Sequence, residues 1–313
     1  MSRTPGPSGP RATASTFGLA GSAEAGPVPR PASFYEPGAV YADRFTGTGQ
    51  SSWYVRGQNF CVGFSWLDAG QTVAERELPD EHMILVPDTA RVLVTSESGG
   101  SALVAGPAVV VVPRGTATIE ARVPGELLRV FTARAEIVAR RARNQALYAT
   151  PDPQAVPLAE AAASTGPGTL RVHRLDDVPT DPTRLGRIFQ TDSLTVNWFL
   201  PHEGPRDANT LSPHVHEDFE QGTVTLGGRH VHHIRLPWSP RLRDWREDQH
   251  VECGSPSVTI IPPGNIHTTQ AIGKGIHHLV DVFAPHRQDF LRQGWVLNAA
   301  DYAANPIADA KTS

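Results

Sequence analysis

The chain has 313 residues, which is enough for two domains with hydrophobic cores of ordinary size. Its formal net charge of -4 comes with no basic stripe, which argues against a nucleic-acid partner, and no apolar run reaches the ~20 residues that span a bilayer, which argues against a membrane partner. Charged residues make up only 19%, whereas 28 glycines and 28 prolines favour many short strands joined by turns over a helical bundle.

Residues 1–32 are rich in Pro, Gly, Ala and Ser and have no periodic apolar face, so they are predicted to be a disordered tail. The same segment lacks the charged start and apolar stretch of a secretory signal. The chain has only two cysteines, Cys61 and Cys253, which cannot build a disulfide framework and fit a reducing compartment. A cytoplasmic location is therefore expected.

Short apolar or alternating segments begin at about Trp53 and are separated by turn residues, a rhythm typical of antiparallel β-structure. Residues 33–147 are predicted to form a first β-domain, with strands over 60–66, 83–86, 91–95, 108–112 and 127–131. A Pro- and Ala-rich linker over 148–175 follows. The rhythm returns in a second domain, 176–313, with strands over 187–189, 194–200, 222–226, 230–236, 257–261 and 276–283, and a weakly helical tail over 287–302.

The two halves share an apolar strand that runs into a Pro-x-Gly turn. The first half has Pro113-Arg-Gly-Thr-Ala-Thr118, and the second has Pro262-Pro-Gly-Asn-Ile-His267. The same offset places segment 65–82, which contains no His-x-His pair, opposite His214-Val-His216. A duplicated domain whose first copy lacks the histidines is the simplest explanation, and the alternative is chance similarity of two strand–turn units.

Four residues of the second half form a candidate ligand set for a divalent metal ion. His214 and His216 are one residue apart, so on a strand they point to the same face. Glu220 follows after a short bend, and the Pro-Pro-Gly turn re-aims the chain so that His267 can enter the same interior. Three imidazoles and one carboxylate suit Fe(II), Mn(II), Ni(II), Cu(II) or Zn(II).

This pattern, His214-x-His216-x-x-x-Glu220 with Pro262-x-Gly264-x-x-His267, resembles the two signature motifs of the cupin superfamily. An asparagine often found four residues after the last histidine is Ala271 here, and that position is not a ligand. The resemblance implies an all-β fold of two tandem cupin-type jelly-roll barrels, a bicupin, over roughly residues 35–300. It also implies that the second barrel binds the metal, whereas the first is a degenerate cupin that serves as a structural or dimerisation module.

The segment Arg229–Arg235 adds two candidate catalytic residues. Alternation puts His230 and His232 on one face of the strand, and His233 and Arg235 on the other. If the second face lines the barrel, His233 can act as acid or base and Arg235 can bind a substrate carboxylate. The alternative is a polar outer face or a dimer contact. Three further residues, Gln190, Asn197 and Trp198, are expected to pack rather than to orient a ligand.

Three functions remain open at this point. The first is an Fe(II) dioxygenase acting on a small organic substrate, because four protein ligands leave room on a six-coordinate ion for substrate and O2. The second is a Lewis-acid isomerase, decarboxylase or lyase in which His233 or Glu217 moves protons. The third is a metal-bearing small-molecule binding protein without turnover. Iron is the favoured metal, and a homodimer is the expected assembly.

Overall fold

The computed structural model describes residues 30–37, 51–98, 100–159, 168–179, 181 and 184–302. The fold class predicted from the sequence is confirmed, because short antiparallel strands dominate and build two barrels. The predicted disordered tail lies outside the described residues apart from its last three positions. Within the described ranges, no helix is long and apolar enough to cross a membrane.

The first half is built from two antiparallel sheets. Its strands are β1 (Ser33–Tyr35), β2 (Ser51–Arg56), β3 (Phe60–Leu67), β4 (Thr72–Leu78), β5 (His82–Val86), β6 (Arg91–Ser96), β7 (Gly100–Ala105), β8 (Ala108–Val112), β9 (Gly115–Ala121) and β10 (Gly125–Thr132). A short helix, α1 (Glu136–Ala139), and a 3-10 turn (Gln145–Tyr148) end this half. The smaller sheet has the order β4-β9-β6-β7.

The second half repeats this plan. Its elements are β11 (Arg171–Arg174), a 3-10 turn (Leu175–Asp177), β12 (Gly186–Gln190), β13 (Thr195–Phe199), β14 (His202–Glu203), β15 (Gln221–Gly227), β16 (Arg229–Arg235), a 3-10 turn (Leu242–Asp244), β17 (Gln249–Cys253), β18 (Ser257–Ile261), β19 (Ile266–Ile272), β20 (Ile276–Phe283), α2 (Gln288–Arg292) and a 3-10 turn (Ala299–Tyr302). The smaller sheet has the order β17-β16-β19.

The two large sheets exchange strands between the halves. The sheet of the first half has the order β11-β8-β5-β10-β3-β2, and that of the second half has the order β1-β18-β15-β20-β13-β12, with β14 on β20. Strand β1 pairs with β18 of the second half, and β11, from the predicted linker, pairs with β8 of the first half. Strand pairing therefore crosses the boundaries proposed at residues 147 and 175.

The large sheets also pack face to face and share the largest apolar core. This core contains Phe60, Val62 and Met83 from the first half and Val224 and Val280 from the second. Strand β8 explains why a continuous run of apolar residues is needed. Its residues at 109 and 111 belong to the shared core, and those at 108, 110 and 112 belong to the interior of the first barrel. A strand buried on both faces has no polar face to alternate with.

Alternation on β15 and β20 directs a second set of side chains into the second barrel. Val224 and Val280 face the shared core, whereas Thr223, Leu279 and Asp281 line an internal cavity of about 520 Å³. The two strands pair with Thr223 opposite Asp281. The fold thus uses one face of this sheet to join the barrels and the other to build a polar chamber.

Candidate metal centre

Three of the four predicted ligands come together at one end of the cavity. Potential ligand atoms of His214, His216 and His267 all lie within 4.8 Å of one another. The backbones of His214 and His267 form two hydrogen bonds: the N–H of His214 donates to the carbonyl of His267 at 3.0 Å, and the N–H of His267 donates to the carbonyl of His214 at 2.8 Å. The turn before His267 places Gly264 at φ +78°, where glycine is favoured, and its N–H donates to the carbonyl of His216 at 2.8 Å.

Hydrogen bonds to the backbone orient two of these imidazole rings. The Nδ1 atom of His214 lies 3.0 Å from the carbonyl oxygen of Ser212, and that of His267 lies 2.9 Å from the carbonyl oxygen of Asn265. A carbonyl only accepts, so each Nδ1 carries the proton and each Nε2 keeps its lone pair. A hydrogen bond from one ring nitrogen to a carbonyl fixes the tautomer that a metal-binding histidine needs at the other nitrogen.

The environment also keeps two of the imidazoles uncharged. Burial lowers the pKa of His216 to about 3, and the Arg287 guanidinium beside the ring adds to this effect. Burial likewise lowers the pKa of His267 to about 4. Neutral imidazole is the form that binds a metal ion, so neither ring has to lose a proton at neutral pH.

Glu220 does not join the histidines, which corrects the predicted ligand set. Its carboxylate accepts hydrogen bonds from the backbone N–H of Gln58 and from the hydroxyl of Tyr148, the latter at 2.9 Å. Both partners belong to the first half of the chain. Burial raises the pKa of this carboxyl to about 7. Glu220 therefore links the two barrels rather than facing the interior of the second.

Gln221 occupies the place expected for the carboxylate. Its Oε1 lies 3.1 Å from Nε2 of His216 and 3.4 Å from Nε2 of His267. The sequence carried a signal for this residue, because Gln221 alternates with Val224 and Leu226 on β15 and shares the polar face of Thr223. By the same alternation Glu220 belongs to the face of Val224, which packs between the barrels.

Asp281 is a second polar residue of this chamber that the sequence analysis did not assign to the site. The side-chain amide of Gln221 donates to the hydroxyl of Thr223 at 2.8 Å, and that hydroxyl donates to Asp281 at 2.8 Å. Burial raises the pKa of Asp281 to about 7. The chain of bonds connects the histidine cluster to a carboxyl group that can hold a proton near neutral pH.

The predicted catalytic residues His233 and Arg235 lie on the outer face of β16, which corrects their assignment. His233 contacts His250 through their Nδ1 atoms at 2.8 Å and Gln270 at 3.2 Å. Arg235 has a side chain that is 64% exposed and forms an ion pair with Asp248. The other face of the strand is the inner one, with His230 and His232 buried.

The remaining candidates divide between packing and the cavity wall. Trp198 belongs to the shared core, and the backbone of Gln190 is bonded on both sides by the side chain of Asn298, at 2.9 Å each. Asn197 lines the cavity instead. Glu217, which the Lewis-acid hypothesis offered as a proton carrier, is exposed and is not part of the cavity wall.

Solved structures of other proteins resemble this architecture. An oxalate decarboxylase variant from Bacillus subtilis has a TM-score of 0.52 and 14% identity, covering 77% of this chain and 74% of that one. The oxalate decarboxylase of Lactobacillus farciminis, solved as a formate complex, has the same score and identity and covers 83% and 90%. A cupin 2 conserved barrel protein from Leptotrichia buccalis has a TM-score of 0.44, 8% identity and coverages of 78% and 94%.

The fold is that of the cupins. At such identities the likeness concerns the fold alone. No protein-family model and no curated protein matches the sequence. The features of this cupin-fold chain that bear on its chemistry are therefore its own residues, above all the histidine cluster and the cavity behind it.

Proposed function

We propose that this chain is a metal-dependent enzyme that acts on a small organic anion in the second barrel, by decarboxylation or a related lyase or isomerase reaction. The observation that supports this best is the convergence of three imidazoles and the amide oxygen of Gln221 at the end of a cavity of about 520 Å³. A cavity of this size suits a small-molecule ligand.

The donor atoms fit a borderline divalent ion such as Mn(II), Fe(II) or Zn(II). His214 and His267 present Nε2 lone pairs, and Gln221 supplies a neutral oxygen beside them. None of these groups carries a negative charge, so the bound ion would keep its full formal charge of +2. A divalent ion held there would supply Lewis-acid polarisation of a substrate carboxylate or carbonyl oxygen. An anionic substrate complements such a site electrostatically.

Asp281 is the residue suited to proton transfer. It lies opposite Thr223, which is two residues from Gln221 on the same face of β15, or about 7 Å along the strand. The pKa of Asp281, raised to about 7, keeps much of the group in the acid form at neutral pH. When a carbon–carboxylate bond breaks, the electron pair stays on the substrate carbon, and the acid form of Asp281 can donate a proton to that carbon.

The fold comparison indicates which reaction to test first. Oxalate decarboxylases share this fold at TM-scores of 0.50 to 0.52, one is described with Mn(II) centres and another with bound formate. The Fe(II) dioxygenase hypothesis remains a prediction. The two differ in one requirement, since a decarboxylase releases CO2 without consuming O2 in stoichiometric amounts, whereas a dioxygenase incorporates O2 into its product.

The decisive experiment combines elemental analysis with turnover measurements. Protein purified without added metal is expected to contain Mn, Fe or Zn near one ion per chain. A panel of carboxylates is then screened for CO2 release with O2 uptake recorded in parallel. Release without matching O2 uptake supports the proposal. Turnover that always consumes one O2 per product would establish the dioxygenase instead, and protein without metal would exclude both.

The pH profile provides a check on Asp281. The donor must be protonated, so the rate is expected to be constant below pH 7 and to fall tenfold per pH unit above it. Asp281→Asn should reduce the rate by about 100- to 10,000-fold and remove this dependence, while the metal content stays unchanged. A variant with wild-type rate and pH profile would show that another group moves the proton.

A further inference from the structure

The cavity has a second polar end, formed by His230 together with His277 and His202. We propose that the substrate is an elongated carboxylate with an apolar, planar middle and an uncharged hydrogen-bonding group at its far end, which His230 receives. This inference rests on the proposed function, because it assumes that the carboxylate end lies at the histidine cluster. It differs from that proposal in naming the length and chemistry of the molecule.

His230 is built as a receptor for a ligand group. Its side chain is 1% exposed and lines the cavity, and its Nδ1 has no hydrogen-bond partner among the described residues. The neighbouring His277 is occupied, since its Nε2 lies 2.8 Å from the carbonyl oxygen of Ile272 and its Nδ1 lies 3.3 Å from that of His202. Buried polar groups are nearly always hydrogen-bonded, so an imidazole of the cavity wall that has no partner within the described protein is suited to receive a polar group of a ligand.

Strand register gives the length of the molecule. On the β16–β19 pair, His230 lies opposite Ala271, and Ile234 lies opposite His267. His267 and Ala271 are four residues apart on one strand, which corresponds to about 13 Å. Both ends line the same cavity. A ligand that reaches from the histidine cluster to His230 is therefore several times longer than a two-carbon acid.

The walls between the two ends are largely apolar. They are formed mainly by Phe199, Leu200, Leu279, Phe283 and Phe290. A small dianion such as oxalate would leave most of the cavity of about 520 Å³ unfilled and these side chains without an apolar partner. Aromatic and aliphatic walls of this kind complement a flat hydrocarbon segment.

The distribution of charge along the cavity indicates which end of the ligand lies at which end of the cavity. Burial lowers the pKa of His230 to about 4, with a further contribution from His277, so its imidazole is neutral at neutral pH. A neutral imidazole receives a hydroxyl, carbonyl or amide group better than it receives a carboxylate. Arg206 also belongs to the cavity wall, and its guanidinium donates at 3.1 Å to the hydroxyl of Ser212, the residue whose carbonyl orients the His214 ring. Positive charge is thus concentrated toward the end where the carboxylate is expected.

A matched set of probes tests this inference by binding rather than by activity. The metal-loaded full chain is titrated calorimetrically with 4-hydroxycinnamate, with cinnamate, which lacks only the distal hydroxyl, and with oxalate. We expect 4-hydroxycinnamate to bind about tenfold more tightly than cinnamate, since one hydrogen bond distinguishes them. Oxalate should bind more weakly than both.

Variants assign the difference to His230. His230→Phe should bring the affinity for 4-hydroxycinnamate down to that for cinnamate. His233→Phe, a matched change on the outer face of the same strand, should leave the difference intact. Ala271→Leu narrows the far end of the cavity beside His230. It should weaken both cinnamates by tenfold or more without affecting oxalate, which provides a second test if His230→Phe does not fold.

Failure of this inference is distinguishable from failure of the proposed function. If the protein contains metal but binds oxalate more tightly than both cinnamates, or binds neither cinnamate, the proposed substrate class is wrong. The proposal of a metal-dependent enzyme is unaffected by that result. An unchanged tenfold difference in His230→Phe also overturns the role of His230. If elemental analysis finds no metal in the wild-type protein, the proposed function fails, and the inference fails with it.

Discussion

The two barrels have the same strand plan, but the interior of the first is filled by side chains whereas that of the second encloses a cavity. In the first, β5 pairs with β8 so that His82 lies opposite Val112, and in the second, β15 pairs with β18 so that Gln221 lies opposite Ile261. Val112 and Ile261 each directly precede the proline of the Pro-x-Gly turn, so their partners His82 and Gln221 occupy equivalent positions. By the same register Arg129, opposite Ile84, is the counterpart of Asp281.

The interior of the first barrel is filled by apolar side chains and a buried ion pair. Val92, Val94, Val110 and Ile119 fill its interior. Arg129 is fully buried, forms an ion pair with Glu75, and donates to the hydroxyls of Tyr54 and Ser65 at 3.0 and 2.6 Å. The second barrel leaves a cavity lined by imidazoles. The comparison shows that the same strand plan encloses a fixed guanidinium in one barrel and a cluster of imidazoles in the other.

The halves also share a contact that explains Glu220. Glu81, the residue before His82, accepts a hydrogen bond from Tyr302 at 2.7 Å, just as Glu220, the residue before Gln221, accepts one from Tyr148 at 2.9 Å. Each tyrosine ends the 3-10 turn that closes the opposite half. Since Glu81 makes this contact in the barrel without the histidine cluster, Glu220 belongs to the repeated scaffold and not to the ligand set.

Breaking the buried ion pair of the first barrel should give the largest effect on stability. Arg129→Met leaves the Glu75 carboxylate buried without its cation, so the free energy of unfolding is expected to fall by about 3–5 kcal/mol. The double variant Arg129→Met with Glu75→Leu should recover most of this loss, because no uncompensated charge remains. Urea unfolding measures both. A loss below about 1 kcal/mol in the single variant would contradict the account of this interior.

Removing one histidine should abolish the metal binding that we propose distinguishes the second barrel from the first. His267→Ala deletes an imidazole with a fixed tautomer. Metal affinity is expected to fall by about 100-fold or more, since even the loss of a residue that only hydrogen-bonds a metal ligand costs about 10- to 100-fold. Thr118→Ala, at the equivalent position after the Pro-x-Gly turn of the first barrel, is the matched control. Elemental analysis after dialysis should show metal only in the control, and equal retention in both would refute the site.

The adjacent residues Glu220 and Gln221 separate the scaffold from the ligand set. Gln221→Ala should lower metal affinity by about tenfold and change stability little, because it removes an oxygen beside two imidazoles. Glu220→Ala should leave metal content unchanged but lower the free energy of unfolding by about 1–3 kcal/mol, because the Tyr148 hydroxyl and the Gln58 amide lose their acceptor. The reverse outcome would restore the carboxylate as a ligand.

Glu220 also makes stability depend on pH. Its pKa is raised by burial to about 7 in the folded protein, above the ~4.3 of an unfolded glutamate, so the folded state binds the proton more tightly. Stability from this group is fully present below about pH 4 and is lost as pH rises toward 7. Comparing pH-dependent unfolding of the wild type with Glu220→Gln should show a flatter profile in the variant across this window.

Much of the fold was predictable because alternation and turn residues are local signals. The predicted strands at 108–112 and 276–283 have the observed bounds of β8 and β20. The exchange of strands between the halves was not predictable, because β1 has only three residues and its partner is determined by tertiary packing. In the site, motif spacing predicted the histidine cluster, although His214 forms only an isolated bridge with His267 and His216 lies outside the strands. Gln221 was not predicted, because Glu220 was taken as the ligand. Alternation separates Asp281 from Val280 and Val282, but it cannot distinguish a polar face that lines an internal cavity from one that faces solvent.

The smallest effect is expected on the outer face of β16, which can be compared with the inner face of the same strand. Arg235 pairs with Asp248 on the surface, and exposed ion pairs contribute about 0–1 kcal/mol. Arg235→Met should therefore leave metal content and turnover unchanged and shift the free energy of unfolding by less than about 1 kcal/mol, a shift that added salt reduces further. Turnover that falls more than tenfold in this variant, with metal retained, would mean that the outer face of β16 takes part in catalysis, and would return Arg235 to the role of a carboxylate-binding residue.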